Sequence, residues 1–402
     1  MPRLFLIVGH QLKKKVESLR SLLLTLGYPV AEDTPTMPSE ALARRLPHRR
    51  LRCLACARRC TMNPGMSGFC RVRANNDGTL VLSNYGRVVA AHVDTIEKKP
   101  IYHYRPGSKL LSIGTVGCNW NCDFCINSSI SQANEISGQK LSPDDVVRLA
   151  KKYGCQGIAY TYNEPLVFIE FARDTGALAH RAGLFNVVIS NGYGTPEAVD
   201  ALSQFVDCIT VGLKANASPS FLRKHAGVPS PKPIFGTLLG LRRRTNIHIE
   251  VSDVVFERDG SSLRQTRDLC RWIYRKMGAD TPLHFVRFYP SYKMGGAPST
   301  TSNVLEAHCD VAREAGLRYV YVANSPGHKQ ENTYCTNCGK TVIARFGYDI
   351  RGWHLDEQNK CRACGHQIPV VGSLTQTPPE ERYVPVVFPP MDMLYVCEGL
   401  SG

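Results

Sequence analysis

Residues 110–127 read LLSIGTVGCNWNCDFCIN, an apolar, β-branched run that leads directly into three closely spaced cysteines. Such a run is typical of a buried strand, so Cys118, Cys122 and Cys125 are expected in the loop at its end. Three thiolates in one loop can hold three corners of a cubane iron–sulfur cluster and leave the fourth iron open. A structural zinc site would need a fourth ligand, and no further Cys or His occurs before Cys155.

Similar apolar runs recur downstream and alternate with helix starts. Ser142 precedes Pro143 and Thr195 precedes Pro196, each an N-cap followed by proline at the first helical position. This alternation predicts βα units around a parallel sheet, in which the C-terminal strand ends carry the chemistry. The predicted strands cover 110–116, 157–162, 186–190, 208–213, 247–254, 284–288 and 318–322.

Composition places the chain among ordinary globular proteins. Its 402 residues are 43% hydrophobic and 21% charged, which excludes disordered and collagen-like classes. No apolar run approaches the ~18 residues that span a bilayer, and the run at 4–8 is too short for a secretory signal. We therefore expect a cytoplasmic protein without a membrane partner.

The net charge of +15 is concentrated at the N-terminus, where the first 60 residues hold twelve Lys/Arg and four Asp/Glu, a balance of 12 − 4 = +8. A solvated basic extension is favoured over a polyanion-binding arm, because no base-reading motif accompanies the charge. Nucleic acid is therefore not an expected partner.

Sixteen cysteines in an intracellular chain indicate metal chemistry rather than disulfides. Two further clusters lie outside the 110–127 segment. The pairs Cys335/Cys338 and Cys361/Cys364 have zinc-ribbon spacing, with zinc favoured over iron. The other cluster consists of Cys53, Cys56, Cys60 and Cys70. Its spacing predicts another closed metal site; zinc is slightly favoured, and an auxiliary iron–sulfur cluster also agrees with the spacing. Five scattered cysteines are expected to be buried apolar residues: Cys155, Cys208, Cys270, Cys309 and Cys397.

The CxxxCxxC loop, with Phe124 before its third cysteine, resembles the signature of radical S-adenosylmethionine (SAM) enzymes. Over roughly residues 50–371 the chain is similar to the radical SAM proteins of the AmmeMemoRadiSam system, relatives of pyruvate formate-lyase activating enzymes. The stretches that carry this resemblance are IEKKPIYHYRPGSKLLSIGTVGCNWNCDFC, IAYTYNEP, ISNGY, HFVRFYPSYKM and YVYVANSPGHKQENTYCTNCG. The resemblance implies a 4Fe-4S cluster at the loop, SAM on its open iron, and a low-potential electron donor of the flavodoxin or ferredoxin type.

The resemblance also implies roles for single residues. Phe124 would lie against the purine of SAM, Asn163 and Glu164 would bind its amino group, and Lys214 would face its carboxylate. Ser190 and Asn191 match a third-strand element near the ligand. Further motif positions are His284, Tyr289 and Tyr292, together with Arg287 as a substrate clamp and His328 as a base or a turn residue.

Three positions depart from the family pattern. Gly212 replaces an aspartate two residues before Lys214, Ile126 replaces a common glutamine, and VVFERDG at 254–260 replaces a proline-glycine turn. These changes indicate either a divergent substrate or weakened cofactor handling.

The predicted architecture is an α/β fold, a partial (β/α) barrel with a Cys-rich N-terminal module and a C-terminal zinc ribbon. Its segments are a basic extension (1–50), the Cys-rich module (51–105), the barrel (106–330), the ribbon (331–371) and a tail (372–402) that is expected to form an extended strap. The predicted function is reductive cleavage of SAM to a 5′-deoxyadenosyl radical. The substrate is undefined, and a glycyl radical partner protein is one candidate. The alternative is a catalytically degenerate, zinc-containing nucleic-acid-binding or scaffold protein.

Overall fold

The structure, a computed structural model, describes residues 42–376, 378, 381 and 383–388. Most of the predicted basic extension and Cys397 lie outside these residues. The strands are β1 (Ala43–Leu46), β2 (Arg50–Cys53), β3 (Thr61–Met62), β4 (Arg73–Asn76), β5 (Thr79–Leu82), β6 (Arg87–Val88), β7 (Ala90–Thr95), β8 (Lys109–Gly114), β9 (Gln139–Lys140), β10 (Gly157–Tyr160), β11 (Phe185–Ser190), β12 (Cys208–Lys214), β13 (His248–Val255), β14 (Leu283–Arg287), β15 (Val320–Ala323), β16 (Thr333–Tyr334), β17 (Thr341–Phe346), β18 (Asp349–Trp353) and β19 (Val384–Pro385).

The helices pack between and around these strands. They are α1 (Ser128–Ser131), α2 (Pro143–Lys152), α3 (Ile169–Arg181), α4 (Pro196–Leu202), α5 (Pro219–Ala226), α6 (Lys232–Arg244), α7 (Leu263–Met277) and α8 (Ser302–Glu314). The two predicted N-caps are confirmed: Ser142 accepts a hydrogen bond from Asp145 N in a capping box, and Thr195 accepts one from Ala198 N. None of the described helices combines the length and apolar character needed to cross a membrane.

A nine-stranded sheet forms the centre, in the order β15-β14-β13-β12-β11-β10-β8-β7-β19. The strands β8 and β10 to β15 run parallel, so all seven predicted strands are confirmed. β12 is buried along nearly its whole length, as expected where helices cover one sheet face and the barrel interior the other. The α/β prediction is confirmed, and the sheet is consistent with a partial barrel whose C-terminal strand ends share one edge.

The segment 96–104 closes the N-terminal end of this sheet. Ile96, Ile101 and Tyr104 pack on apolar side chains of β8, β10, β11 and β12. Beside them the buried Glu250 carboxylate on β13 accepts hydrogen bonds from the backbone N–H groups of Tyr102 (3.0 Å) and His103 (2.7 Å). The barrel floor is therefore built from residues about 150 positions apart in the chain.

Smaller sheets flank the central one. β1, β2 and β3 form the first, and β16, β17 and β18 form the antiparallel sheet of the ribbon. β7, within the predicted Cys-rich module, pairs antiparallel with β8 and so extends the central sheet. β19 pairs antiparallel with β7, and Thr375 N donates to Pro106 O (2.9 Å). Within the described residues the tail thus adds an edge strand to the central sheet, and an extended strap stays a prediction.

Candidate active site at the cysteine loop

The cysteine loop, residues 115–127, leaves the C-terminal end of β8 and is held by Asn163. The Asn163 amide donates to Gly117 O (2.8 Å) and to Thr115 Oγ1 (3.0 Å), and its oxygen accepts from Thr115 N (3.1 Å). These bonds use the donor and acceptor groups of the buried side chain. In the structure the side chain of Asn163 fixes the start of the loop, and its contact with the amino group of SAM stays a prediction.

The rest of the loop is anchored to α5 and to the 292–294 turn. Asn121 N donates to Ala226 O (3.1 Å), Asp123 N donates to His225 O (2.8 Å), and Asp123 O accepts from Met294 N (3.1 Å). Loop backbone that would otherwise be unpaired is therefore satisfied by fixed elements. This anchoring holds the loop in one conformation.

The three loop cysteines are half-buried residues, in contrast to the fully buried apolar core around them. Cys118 Sγ accepts from Trp120 N (3.4 Å), and Cys125 Sγ lies 3.1 Å from Ser131 Oγ. Burial raises the pKa of the Cys118 thiol well above its ordinary value. A free thiolate is thus disfavoured at this position, and a bound metal is the usual means of stabilising one.

Glu164 bridges the ends of β10 and β11. Its carboxylate accepts from Ser190 Oγ (2.7 Å), Asn191 N (2.8 Å) and Leu166 N (3.2 Å). Asn191 in turn donates through Nδ2 to Asn119 Oδ1 (2.7 Å) in the cysteine loop. Burial raises the pKa of Glu164 to about 7, although these donors favour its ionised form. The structure therefore brings the predicted residues Glu164, Ser190 and Asn191 into one hydrogen-bonded group beside the loop.

Lys214 ends β12 on the same edge and has no hydrogen-bond or salt-bridge partner among the described residues. Burial lowers the pKa of its ammonium, whereas the charges of Cys122 and Asp253 act in the opposite direction. A Cβ at Gly212 would stand only 3.1 Å from Lys214 Nζ. Gly212, which departs from the family pattern, thus leaves space for the ammonium of Lys214 and provides no carboxylate to balance its charge.

Phe124 is buried, with 8% of its surface exposed, in an aromatic cluster. Its ring centroid lies 4.9 Å from that of Phe256 and 5.7 Å from that of Phe221. The ring thus packs on other rings of the protein, and its contact with a purine stays a prediction. Ile126, by contrast, is 78% exposed.

Of the predicted substrate residues, Arg287 and His328 differ sharply. Arg287 ends β14, and its buried Nε has no hydrogen-bond partner among the described residues. His328 uses both ring nitrogens: Nε2 lies 3.0 Å from Glu306 Oε1, and Nδ1 accepts from Gln330 N (3.1 Å). Of the two roles predicted for His328, these contacts favour the turn residue, and a role as a base stays a prediction.

The other matched positions serve the fold or lie at the surface. His284 Nε2 contacts Glu250 at 2.6 Å deep in the barrel. Tyr289 donates to Asn324 O (3.3 Å), and Tyr292 is 46% exposed.

The ribbon cysteines form a compact set. The Sγ atoms of Cys335 and Cys364 are 3.6 Å apart and those of Cys338 and Cys361 are 3.8 Å apart, and all four lie within 4.8 Å of one another. Tetrahedral zinc with bonds of about 2.3 Å places its sulfurs at about this separation. The predicted four-cysteine group is confirmed.

Arg58 was missed by the sequence reasoning. Its Nε donates to Asn119 O (2.8 Å) in the cysteine loop, and its Nη2 donates to Gly227 O (2.7 Å) after α5. Its position between Cys56 and Cys60 could have indicated a role at the site, but Arg58 was not distinguished from the many other Lys and Arg residues of this region. The Cys-rich module is therefore tied directly to the loop.

Comparisons with known proteins agree with this site. Residues 112–254 match the Radical SAM superfamily. The uncharacterized protein MJ0808 of Methanocaldococcus jannaschii is 37% identical over 330 residues, which cover 81% of this chain and 97% of that protein.

Among solved structures, SuiB of Streptococcus suis bound to S-adenosylmethionine is 12% identical over 52% of this chain and 49% of its own, with a TM-score of 0.42. A domain of the pyruvate-formate lyase-activating enzyme from Bacteroides vulgatus is 13% identical over 42% of this chain and 99% of its own, with a TM-score of 0.36.

Proposed function

Because the chain belongs to the radical SAM superfamily, in one family with the M. jannaschii protein, we propose that Cys118, Cys122 and Cys125 hold a 4Fe-4S cluster to which SAM binds. When bound, cluster and SAM together supply one-electron cleavage of the sulfonium and a 5′-deoxyadenosyl radical. The residues present fit this pair of groups. Three half-buried cysteines share one anchored loop, and beside them stands the ammonium of Lys214, for which the described part of the chain offers no hydrogen-bond or ion-pair partner.

The observation that carries the proposal is Lys214. Its ammonium is half-buried at the end of β12 and has no hydrogen-bond or ion-pair partner among the described residues, so it is available to an anionic ligand. The α-carboxylate of SAM is such a ligand, and a lysine matches it as a compact point charge.

The surrounding residues position this site. Asn163, Asn191 and Arg58 hold the cysteine loop through hydrogen bonds from two strand ends and from the Cys-rich module. Ionised Glu164 offsets the positive charge that SAM would bring. Such preorganisation keeps the reacting groups in place without reordering during the reaction.

The substrate side of the proposal rests on Arg287. Its guanidinium, half-buried at the end of β14, can clamp a carboxylate or phosphate group of the substrate. Activation of a glycyl radical partner protein, and electron delivery by a flavodoxin- or ferredoxin-type donor, stay predictions. For the ribbon we propose structural zinc.

Anaerobic reconstitution tests the function. We expect protein with iron and sulfide bound at the cysteine loop to release 5′-deoxyadenosine from SAM after dithionite reduction. Protein that binds zinc alone and leaves SAM intact would overturn the proposal. Salt-dependent RNA binding that persists in the Cys122→Ala variant would then support the degenerate, nucleic-acid-binding alternative.

Replacement of Lys214 by methionine should weaken SAM binding about 10- to 100-fold, since a hydrogen bond to a charged group contributes roughly 1.5–3 kcal/mol. Lys214→Arg should retain part of the affinity. Equilibrium binding of SAM to the reconstituted, unreduced protein measures the change. Unchanged affinity in Lys214→Met would remove Lys214 from the site.

SAM affinity should rise with pH up to about 7 and then level off. The pKa of Glu164 is raised to about 7 by burial, so acid protonates the carboxylate that must accept three hydrogen bonds and offset the cation of SAM. Below pH 7, SAM binding therefore requires Glu164 to lose its proton, so the affinity for SAM increases with pH in this range. Titration calorimetry in buffers of different ionisation enthalpy measures this release. In Glu164→Gln the pH dependence should disappear; an unchanged profile would exclude Glu164 as its source.

A further inference from the structure

Four cysteines of the Cys-rich module line one internal cavity, which we call the N-terminal cysteine site: Cys53, Cys56, Cys60 and Cys70. They are free of disulfides, and three are buried while Cys60 is partly exposed. The site is separate from the cysteine loop and from the ribbon, and the proposed function does not use it.

Hydrogen-bond donors converge on these sulfurs. Arg73 Nε donates to Cys53 Sγ (3.2 Å) and Phe69 N donates to Cys60 Sγ (3.4 Å). Backbone N–H groups of Arg58 and Val72 are directed at the sulfurs of Cys56 and Cys70. Donors of this kind stabilise thiolates that ligate a metal centre. The arrangement therefore points to a metal site and not to four packed thiols.

The guanidinium of Arg73 is held in place by Glu170. Both Arg73 and Glu170 are at most 3% exposed, and they form a bidentate pair at 2.6 and 2.8 Å. Glu170 balances the charge of the guanidinium and orients its Nε towards Cys53, so the site is provided with a fixed hydrogen-bond donor.

Sulfur spacing distinguishes the class of metal. Zinc with bonds of about 2.3 Å draws its four sulfurs to about 3.8 Å from one another. In the part of the chain that the structure describes, the ribbon is the one group whose ligand atoms are all within 4.8 Å. In the N-terminal cysteine site, no three sulfurs all lie within 4.8 Å of one another. The three sulfurs of the cysteine loop do not either, and the structure describes all seven of these cysteines. A cubane holds its thiolates farther apart than a single ion does, because four irons lie between them.

We propose that the N-terminal cysteine site holds a second iron–sulfur cluster, ligated by all four cysteines, in place of the zinc that the spacing alone favoured. Its position agrees with a redox group. Asn119 of the cysteine loop lines the same cavity, and Arg58 joins the two sites through its bond to Asn119 O. When bound there, such a cluster supplies storage for one electron next to the SAM site.

The test removes the cysteine loop's cluster and retains the other. The variant Cys118→Ala/Cys122→Ala/Cys125→Ala, reconstituted anaerobically, should remain brown with about four iron and four sulfide ions per chain. Dithionite should produce an electron paramagnetic resonance signal that added SAM does not change. Reductive titration should take about two electrons per wild-type chain and about one per variant chain. Because these readouts need no SAM cleavage, they can succeed or fail independently of the proposed function.

Adding Cys60→Ser to this triple variant provides the site-specific control. It should shift or abolish the remaining signal while the ribbon retains about one zinc per chain, which also reports a folded protein. Colourless triple variant with about two zinc ions per chain would overturn the proposal. Iron that is unaffected by both Cys60→Ser and Cys53→Ser would overturn it as well, because it would then reside elsewhere.

Discussion

Cys122→Ala should reduce SAM cleavage to the level of a blank without protein. Two remaining loop thiols cannot hold a cluster whose fourth iron is already open, so about four irons per chain should be lost together with the activity. Most of the SAM affinity should also disappear, because the chelated iron provides the central contact. Iron content, the visible spectrum and 5′-deoxyadenosine release measure the three effects.

Cys270→Ala is the matched control. Cys270 is a fully buried residue of α7 and lies outside all three cysteine groups. Its replacement should lower stability by the cost of a small cavity and leave iron content and SAM cleavage unchanged. Equal activity of wild type and Cys122→Ala would reject the cysteine loop as the cluster site. Equal loss in both variants would indicate general unfolding.

The parts of this site that the sequence could predict are those coded locally. The strand before Cys118, the cysteine spacing and the ribbon pairs each occupy one short segment, in which residue type and period suffice. The Ser142 and Thr195 caps are equally local. All of these predictions agree with the structure.

The hydrogen-bond partners of Asn163 and His328 could not be predicted because they are distant in the chain. Asn163 meets Thr115 across 48 residues, and His328 meets Glu306 across 22. A motif shows that a polar side chain stands at a strand end, but only the three-dimensional packing determines whether its groups are already used. Lys214 is the opposite case, a polar side chain without a partner among the described residues. This too is visible only in the structure.

Glu250→Ala should destabilise the protein by about 3–5 kcal/mol, the cost of removing one member of a buried charged network. The Glu250 carboxylate is fully buried and accepts from the backbone of Tyr102 and His103, with the Nε2 atoms of His248 (3.1 Å) and His284 (2.6 Å) also in contact. Without it, the floor segment 96–104 loses its polar attachment to β13. Urea unfolding of the apoprotein measures the change.

Glu314→Ala is the control for this replacement. In the described part of the chain, exposed Glu314 forms only a surface pair with Arg267, and it should contribute less than about 1 kcal/mol.

The pH dependence of unfolding provides a second control. Burial alone would raise the pKa of Glu250, but hydrogen bonds with His248 and His284 hold it well below its ordinary value. The carboxylate therefore stabilises the fold fully above its ordinary pKa of about 4.3, and this contribution is lost as pH falls towards the folded-state pKa. The difference in unfolding free energy between wild type and Glu250→Ala should accordingly shrink in acid; a difference that is constant down to pH 3 would show that the carboxylate is not the stabilising group.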